Sequence, residues 1–261
     1  MLDEIHALID FYELDQAAVD RVVADLVPHL HRYAEIALTA RGFEILTGAK
    51  GEHAAAALGS IARRHGALDP VIEAFLACDA AFPGRMLGLK VCFGPDASAP
   101  TLYHRMMAPK EEVFAFLASV QPAASAVPAL RRALAASRLV YGLAFIPVGS
   151  EVGLKVYTIG DVRSDLADVA SAAPKSEDGF VSFRVAHGRA NVEIKHYLTD
   201  VPWDDMRVDG DRWPALIAFA RSSLGYEKAG YLGLLEVEGQ TPELKLYVER
   251  IGAIPTEYQA R

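Results

Sequence analysis

Cysteine is scarce: two thiols, Cys78 and Cys92, in 261 residues. That excludes a disulfide-stapled fold, and no CxxC pair is present for zinc or dithiol chemistry. Long apolar runs are missing as well. None approaches the ~18 residues that a membrane span needs. The start, Met1-Leu2-Asp3-Glu4, is acidic and lacks the basic-then-apolar pattern of a secretory signal. A cytoplasmic protein without a membrane partner is the expectation. Nor is positive charge in excess. Lys and Arg number 26 against 34 Asp and Glu, a formal charge of −8, which argues against a nucleic-acid partner. A Gly-rich phosphate loop and a G-x-S-x-G elbow are both absent, which weighs against nucleotide hydrolysis and serine-hydrolase chemistry. His29 and His31 lack carboxylate or cysteine partners at ligand spacing, so no metal site is expected.

What the chain does have is a repeat. Gly153-Leu154-Lys155-Val156-Tyr157, Glu193-Ile194-Lys195-His196-Tyr197 and Glu243-Leu244-Lys245-Leu246-Tyr247 share the pattern x-apolar-Lys-x-Tyr. Alternate side chains of a strand face opposite ways, so Lys and Tyr share one face of each run and the apolar residues share the other. Each run closes a hairpin. The spacing predicts hairpins over about residues 86–107, 139–159, 180–198 and 231–251, starting about 40–55 residues apart as in a repeat architecture. Aligning Leu102 with Leu154 places Tyr103 and Arg105 on the Lys/Tyr face of the first hairpin. Lys90 and Arg184 share that parity on leading strands.

Helical periodicity accounts for the segments between. Ala18, Val19, Val22, Val23, Leu26, Val27 and Leu30 repeat at helical spacing within a segment from Asp15 to about Leu38, with Pro28 as a kink or break. Residues 42–51 read as a break. Further helices are expected over 52–64, 70–80, 109–120, 127–136, 161–172 and 209–224, the second with Asp69 as N-cap and Pro70 in its first turn. Residues 1–85 are thus mainly helical, and residues 1–261 read as one domain. Hairpins joined by helices imply an α+β fold: an antiparallel β-barrel of 8–10 strands with a polar, solvent-filled lumen, surrounded by a ring of α-helices. The eight strands found leave room for a further pair near Arg41 to Gly48, where Gly42-Phe43-Glu44-Ile45-Leu46 suits a short strand.

Lysines and arginines turned into one chamber repel each other unless a polyanion binds among them, and phosphate or diphosphate suits them. Neighbouring tyrosine faces offer negative potential to a carbocation. Hairpins ending in Lys-x-Tyr between helices, together with Leu139-Val140-Tyr141-Gly142-Leu143, resemble the ABBA, or PT-barrel, family of soluble aromatic prenyltransferases over about residues 86–251. The resemblance implies transfer of an isoprenyl group from its diphosphate to an aromatic acceptor, a small molecule or a peptide side chain. It implies that Arg105, Lys155, Lys195 and Lys245 contact diphosphate and that Tyr103, Tyr157, Tyr197 and Tyr247 shield the cation, with Lys90 and Arg184 as additional cations. Members differ over Mg2+, and no Asp-rich motif here demands it, so no cofactor is required by the sequence. The indole-using branch carries a glutamate base on its first hairpin. Residues 86–93 contain none, which counts against an indole acceptor of that type. Glu193, Glu243 and Glu249 share the inward parity as proton acceptors, and nothing singles one out.

A plainer reading stands beside each of these. One Lys-x-Tyr run is more often a solvated sheet face than a site, and Glu193 and Glu243 suit cross-strand pairing with lysines. His104 and His196 lie on the apolar parity and read as packing, as do Trp203 and Trp213. His187 belongs to a turn, and Cys92 reads as an isolated strand residue. The alternative function is a barrel that binds a phosphorylated or otherwise acidic metabolite without prenyl transfer.

Overall fold

A computed structural model of the chain describes residues 2–30, 34–83, 86–95, 97–120, 127–134, 139–149, 151–158, 179–186, 189–197, 213–225, 231–235 and 243–251. Two helices, α1 (Leu2–Tyr12) and α2 (Gln16–Leu30), precede the hairpin β1 (Ala34–Leu38) and β2 (Phe43–Ala49). Helices α3 (Ala54–Arg64) and α4 (Asp69–Ala81) lead into β3 (Leu87–Phe93) and β4 (Thr101–Pro109). Then come α5 (Lys110–Ser119), α6 (Val127–Ala133), β5 (Leu139–Val148), β6 (Glu151–Thr158), β7 (Gly179–Ala186) and β8 (Arg189–Tyr197). The last elements are α7 (Trp213–Ser222), β9 (Tyr231–Leu235) and β10 (Glu243–Ile251). The helix expected over 161–172 lies outside the described residues.

Each strand pairs antiparallel with its neighbours in chain order, and β1 also pairs with β10, so the ten strands close into a barrel. Two-residue periodicity sorts the side chains. Leu89, Leu102, Leu143, Phe145, Leu154, Val156 and Leu246 are fully buried on one face, in a core shared with Leu58, Phe75, Phe114 and Leu117 of α3, α4 and α5. Phe75 of α4 meets Phe145 of β5 edge to face, with ring centroids 6.3 Å apart. Burying one such side chain stabilises the fold by about 1.5–3 kcal/mol. A one-residue slip of any strand would expose its whole apolar set. That cost fixes the register and turns the intervening Lys, Arg and Tyr residues to the opposite face.

Two expectations for the N-terminal third are corrected. The helix expected to run to Leu38 ends at Leu30, and residues 34–38 form β1; the expected break at 42–51 contains β2. In β1 the buried residues alternate between Ala34, Ile36 and Leu38 on the helix-facing parity and Glu35 and Ala37 on the other. Alanine suits both periods, so the apolar pattern continues the helix without a visible change, and pairing with β2 and β10 decides the outcome. The pair sought near Arg41 to Gly48 is this hairpin. Its turn is tied by the Thr39 N–H and the Thr39 hydroxyl, both donating to the Gly42 carbonyl at 2.9 Å. The Tyr12 hydroxyl of α1 donates to the Thr39 carbonyl at 2.8 Å. Trp213 is buried on α7, as a packing residue should be. Asp69 is not an N-cap: Leu68 holds that position, and the Asp69 carboxylate accepts from Arg63 Nε at 2.8 Å.

Gly42 marks the tightest approach in the first hairpin. A Cβ there would lie 2.0 Å from the Phe93 carbonyl oxygen at the end of β3. Gly42→Ala should therefore force the turn off β3 and lower unfolding free energy by about 1–3 kcal/mol, the usual range for overpacking. Chemical denaturation of the variant beside the parent protein measures this.

Candidate functional site

A cavity of about 900 Å³, counting the part open to solvent, lies on the polar side of β1 to β6 and β10. Its polar wall includes Glu35, Glu44, Lys90, Tyr103, Arg105, Tyr141, Tyr157 and Tyr247. Ala37, Leu46, Gly48, Met86 and Gly88 supply small and apolar wall between them. Register explains the grouping. Tyr103 on β4 stands opposite Ala144 on β5, which stands opposite Lys155 on β6; Arg105, Gly142 and Tyr157 form the adjacent row. The small residues on β5 leave space in which side chains from β4 and β6 meet. Tyr103 and Tyr157 have ring centroids 6.1 Å apart, and the Lys155 ammonium lies 5.2 Å from the Tyr157 centroid. The Arg105 guanidinium lies 5.3 Å from the ring of Tyr141. Tyr141 sits where the β5–β6 register shifts between Val140 and Gly142, a bulge of the kind that re-aims a side chain beside a site.

Opposite this group is a carboxylate held by two lysines. Glu44 Oε1 accepts from Lys245 Nζ at 2.8 Å, from Lys90 Nζ at 3.1 Å and from the Cys92 thiol at 3.4 Å. Glu44 and Lys245 are both 7 % exposed. Burial alone would push the Glu44 carboxyl up; the two ammonium groups outweigh it and hold the group well below the usual carboxylate range. Burial pushes the Cys92 thiol up, which keeps it protonated. Ala37 lies between Glu44 and Tyr247 in the β2–β1–β10 register, and its short side chain lets Glu44 reach across β1 to Lys245.

The structure thus gathers Tyr103, Arg105, Tyr157, Tyr247 and Lys90 around one cavity, with Lys155 and Lys245 buried beside it. Lys195 and Tyr197 stand opposite Gly233 and Tyr231 on β9, and Arg184 opposite Lys155; their side chains lie outside those described. Glu193 and Glu243 both stand opposite Leu235 in the β8–β9–β10 register, and their side chains likewise lie outside those described. Glu249 stands opposite Ile36, across the register shift at Ile36 and Ala37, and its side chain likewise lies outside those described. His104 is fully buried on the helix-facing parity, its Nε2 3.4 Å from Asp79 Oδ1 of α4, so it joins barrel to helix as packing residues do.

Glu35, Glu44 and Tyr141 were missed as site residues. The first two lay inside the expected helix and break, and their signal is the alternation around Gly42. Both belong to the first hairpin of the barrel, upstream of residues 86–93. Two carboxylates, Glu35 and Glu44, stand in the cavity wall among basic and phenolic residues, and Glu44 is taken up by Lys90 and Lys245. Among the described residues no group of three His, Cys, Asp or Glu could hold a metal ion. No described helix is long and apolar enough to cross a membrane.

No protein-family model matches the sequence, and no curated protein matches it. Solved structures do. The fold is that of the ABBA-type aromatic prenyltransferases. A 5-dimethylallyltryptophan synthase from Streptomyces coelicolor superposes with a TM-score of 0.64 at 13 % identity, over 99 % of this chain and 97 % of its own. The same enzyme in complex with DMASPP and Trp gives 0.64 at 14 % identity, over 99 % and 95 % of the two chains. AnaPT from Neosartorya fischeri gives 0.58 at 13 % identity, over 84 % and 78 %. At such identities the likeness is one of fold.

The Glu44 ion pairs set an acid limit. A carboxyl whose folded pKa lies below its unfolded value of about 4.3 contributes stability above that value and loses it as pH falls. Unfolding free energy should therefore drop from about pH 4 downwards. Glu44→Gln should remove part of that slope, read from denaturation curves at pH 7, 4 and 3.

Proposed function

We propose that this protein is an aromatic prenyltransferase, which moves an isoprenyl group from an isoprenoid diphosphate to an aromatic acceptor by electrophilic substitution. The observation that carries the reading is the convergence of Lys90, Arg105 and four tyrosine rings on one cavity, with Lys155 and Lys245 buried against its Tyr157 and Glu44. In this reading residues 1–261 act as one domain, the barrel interior is a solvent-filled lumen within a ring of helices, and the reaction belongs to the cytoplasm. Two free cysteines are in keeping with that compartment.

The cations hold the diphosphate. Arg105 supplies a fork, while Lys155, Lys195 and Lys245 supply point charge. As the allylic C–O bond breaks, its electrons leave with the diphosphate, whose growing charge these groups stabilise. The faces of Tyr103, Tyr157, Tyr197 and Tyr247 surround the allyl cation, and Tyr141 extends that wall. Lys90 and Arg184 widen the basic rim. The aromatic ring attacks the cation and then loses a proton. Glu35, buried on β1 in the cavity wall, is the carboxylate best placed to receive it. The same glutamate suits an N–H donor on the acceptor, and tryptophan is named with one of the similar structures. No step needs a protein-held metal.

Incubation with dimethylallyl, geranyl and farnesyl diphosphates and a panel of aromatic acceptors, read by mass with and without Mg2+, tests the reading. A prenylated product is expected. Lys155→Ala should weaken donor binding by about tenfold or more, the scale of one charge-assisted contact, and leave acceptor binding nearly unchanged in calorimetry. Binding of a phosphorylated or acidic metabolite, with no prenyl diphosphate bound, would favour the metabolite-binding barrel instead.

A further inference from the structure

We infer that Glu44 is an internal counter-anion of the donor site, which holds Lys90 and Lys245 in the ligand-free protein and is displaced from them by the diphosphate. The inference rests on the prenyl-donor reading above. Both ammonium groups converge on a single carboxylate oxygen, at 3.1 and 2.8 Å, from strands on either side of the β1–β2 hairpin. That arrangement imitates what a phosphate oxygen would receive there. Glu44 and Lys90 line the cavity, and Lys245 shares the parity of Tyr247, which also lines it.

The chemistry favours exchange. Two lysines with no anion between them would be costly to bury, and one carboxylate makes them tolerable. A diphosphate carries more charge and more oxygens than a carboxylate, so it competes well for the same ammonium groups. Once Lys245 turns to the donor, Glu44 is left beside the diphosphate as a like charge. Glu44 therefore stabilises the empty protein and opposes donor binding. A purely structural ion pair would do the first and not the second.

The two effects have opposite signs, and the test reads both. Inorganic diphosphate and dimethylallyl diphosphate are titrated calorimetrically into the wild-type protein and Glu44→Gln, and thermal unfolding is recorded with and without saturating diphosphate. Glu44→Gln should lower the Tm of the ligand-free protein and tighten both ligands by about tenfold, since one nearby like charge is removed. Saturating diphosphate should narrow the Tm difference. A lower Tm with unchanged or weaker binding overturns the inference and leaves a structural latch. Failure of both ligands to bind both proteins removes the donor reading itself. Should Glu44→Gln fail to fold, Glu44→Asp retracts the oxygen by one methylene. It should bind diphosphate more tightly than wild type, by less than tenfold; unchanged or weaker binding overturns the inference.

Discussion

The packing of one apolar strand face against helices is the constraint on which the remaining structure depends. Leu102, Phe145, Leu154 and Leu246 come from three hairpins, and all are fully buried on that face. Because side chains alternate, their burial commits Tyr103, Arg105, Lys155, Lys245 and Tyr247 to the opposite side. No contact among those polar groups is needed to orient them. The site follows from the core.

Closure then brings distant strands within reach. Lys245 and Glu44 lie 201 residues apart in sequence and 2.8 Å apart in space, because β1 pairs with both β2 and β10. The cavity wall mixes charges accordingly: Glu35 and Glu44 of the first hairpin stand with Lys90 of β3 and Tyr247 of β10, while Tyr103, Arg105, Tyr141 and Tyr157 come from β4, β5 and β6. Lys90 and Lys245 draw Glu44 into the basic set.

Much of this was legible from side-chain pattern alone. Hairpins with alternating Lys-x-Tyr and apolar residues carry both their period and their polarity in a few consecutive positions, so β4, β6, β8 and β10 were placed close to their observed ends. The first hairpin was not. In Ala34–Leu38 alanine occupies positions on both faces, and a helix and a strand make the same use of it. Tyr141 was hidden for a different reason: it occupies a bulge, and parity counted through Leu139 and Val140 gives no warning of a shift at Gly142.

Local alternation by itself determined which residues of most hairpins share a face, and with them the basic and phenolic set. It did so because the period of a strand is a property of adjacent residues. Only the tertiary structure decided that residues 34–49 form the strands that close the barrel, that Glu44 meets Lys90 and Lys245, and that Tyr141 joins the cavity wall. These depend on pairing between remote segments and on bulges that offset it, and neither leaves a mark in the order of neighbouring side chains.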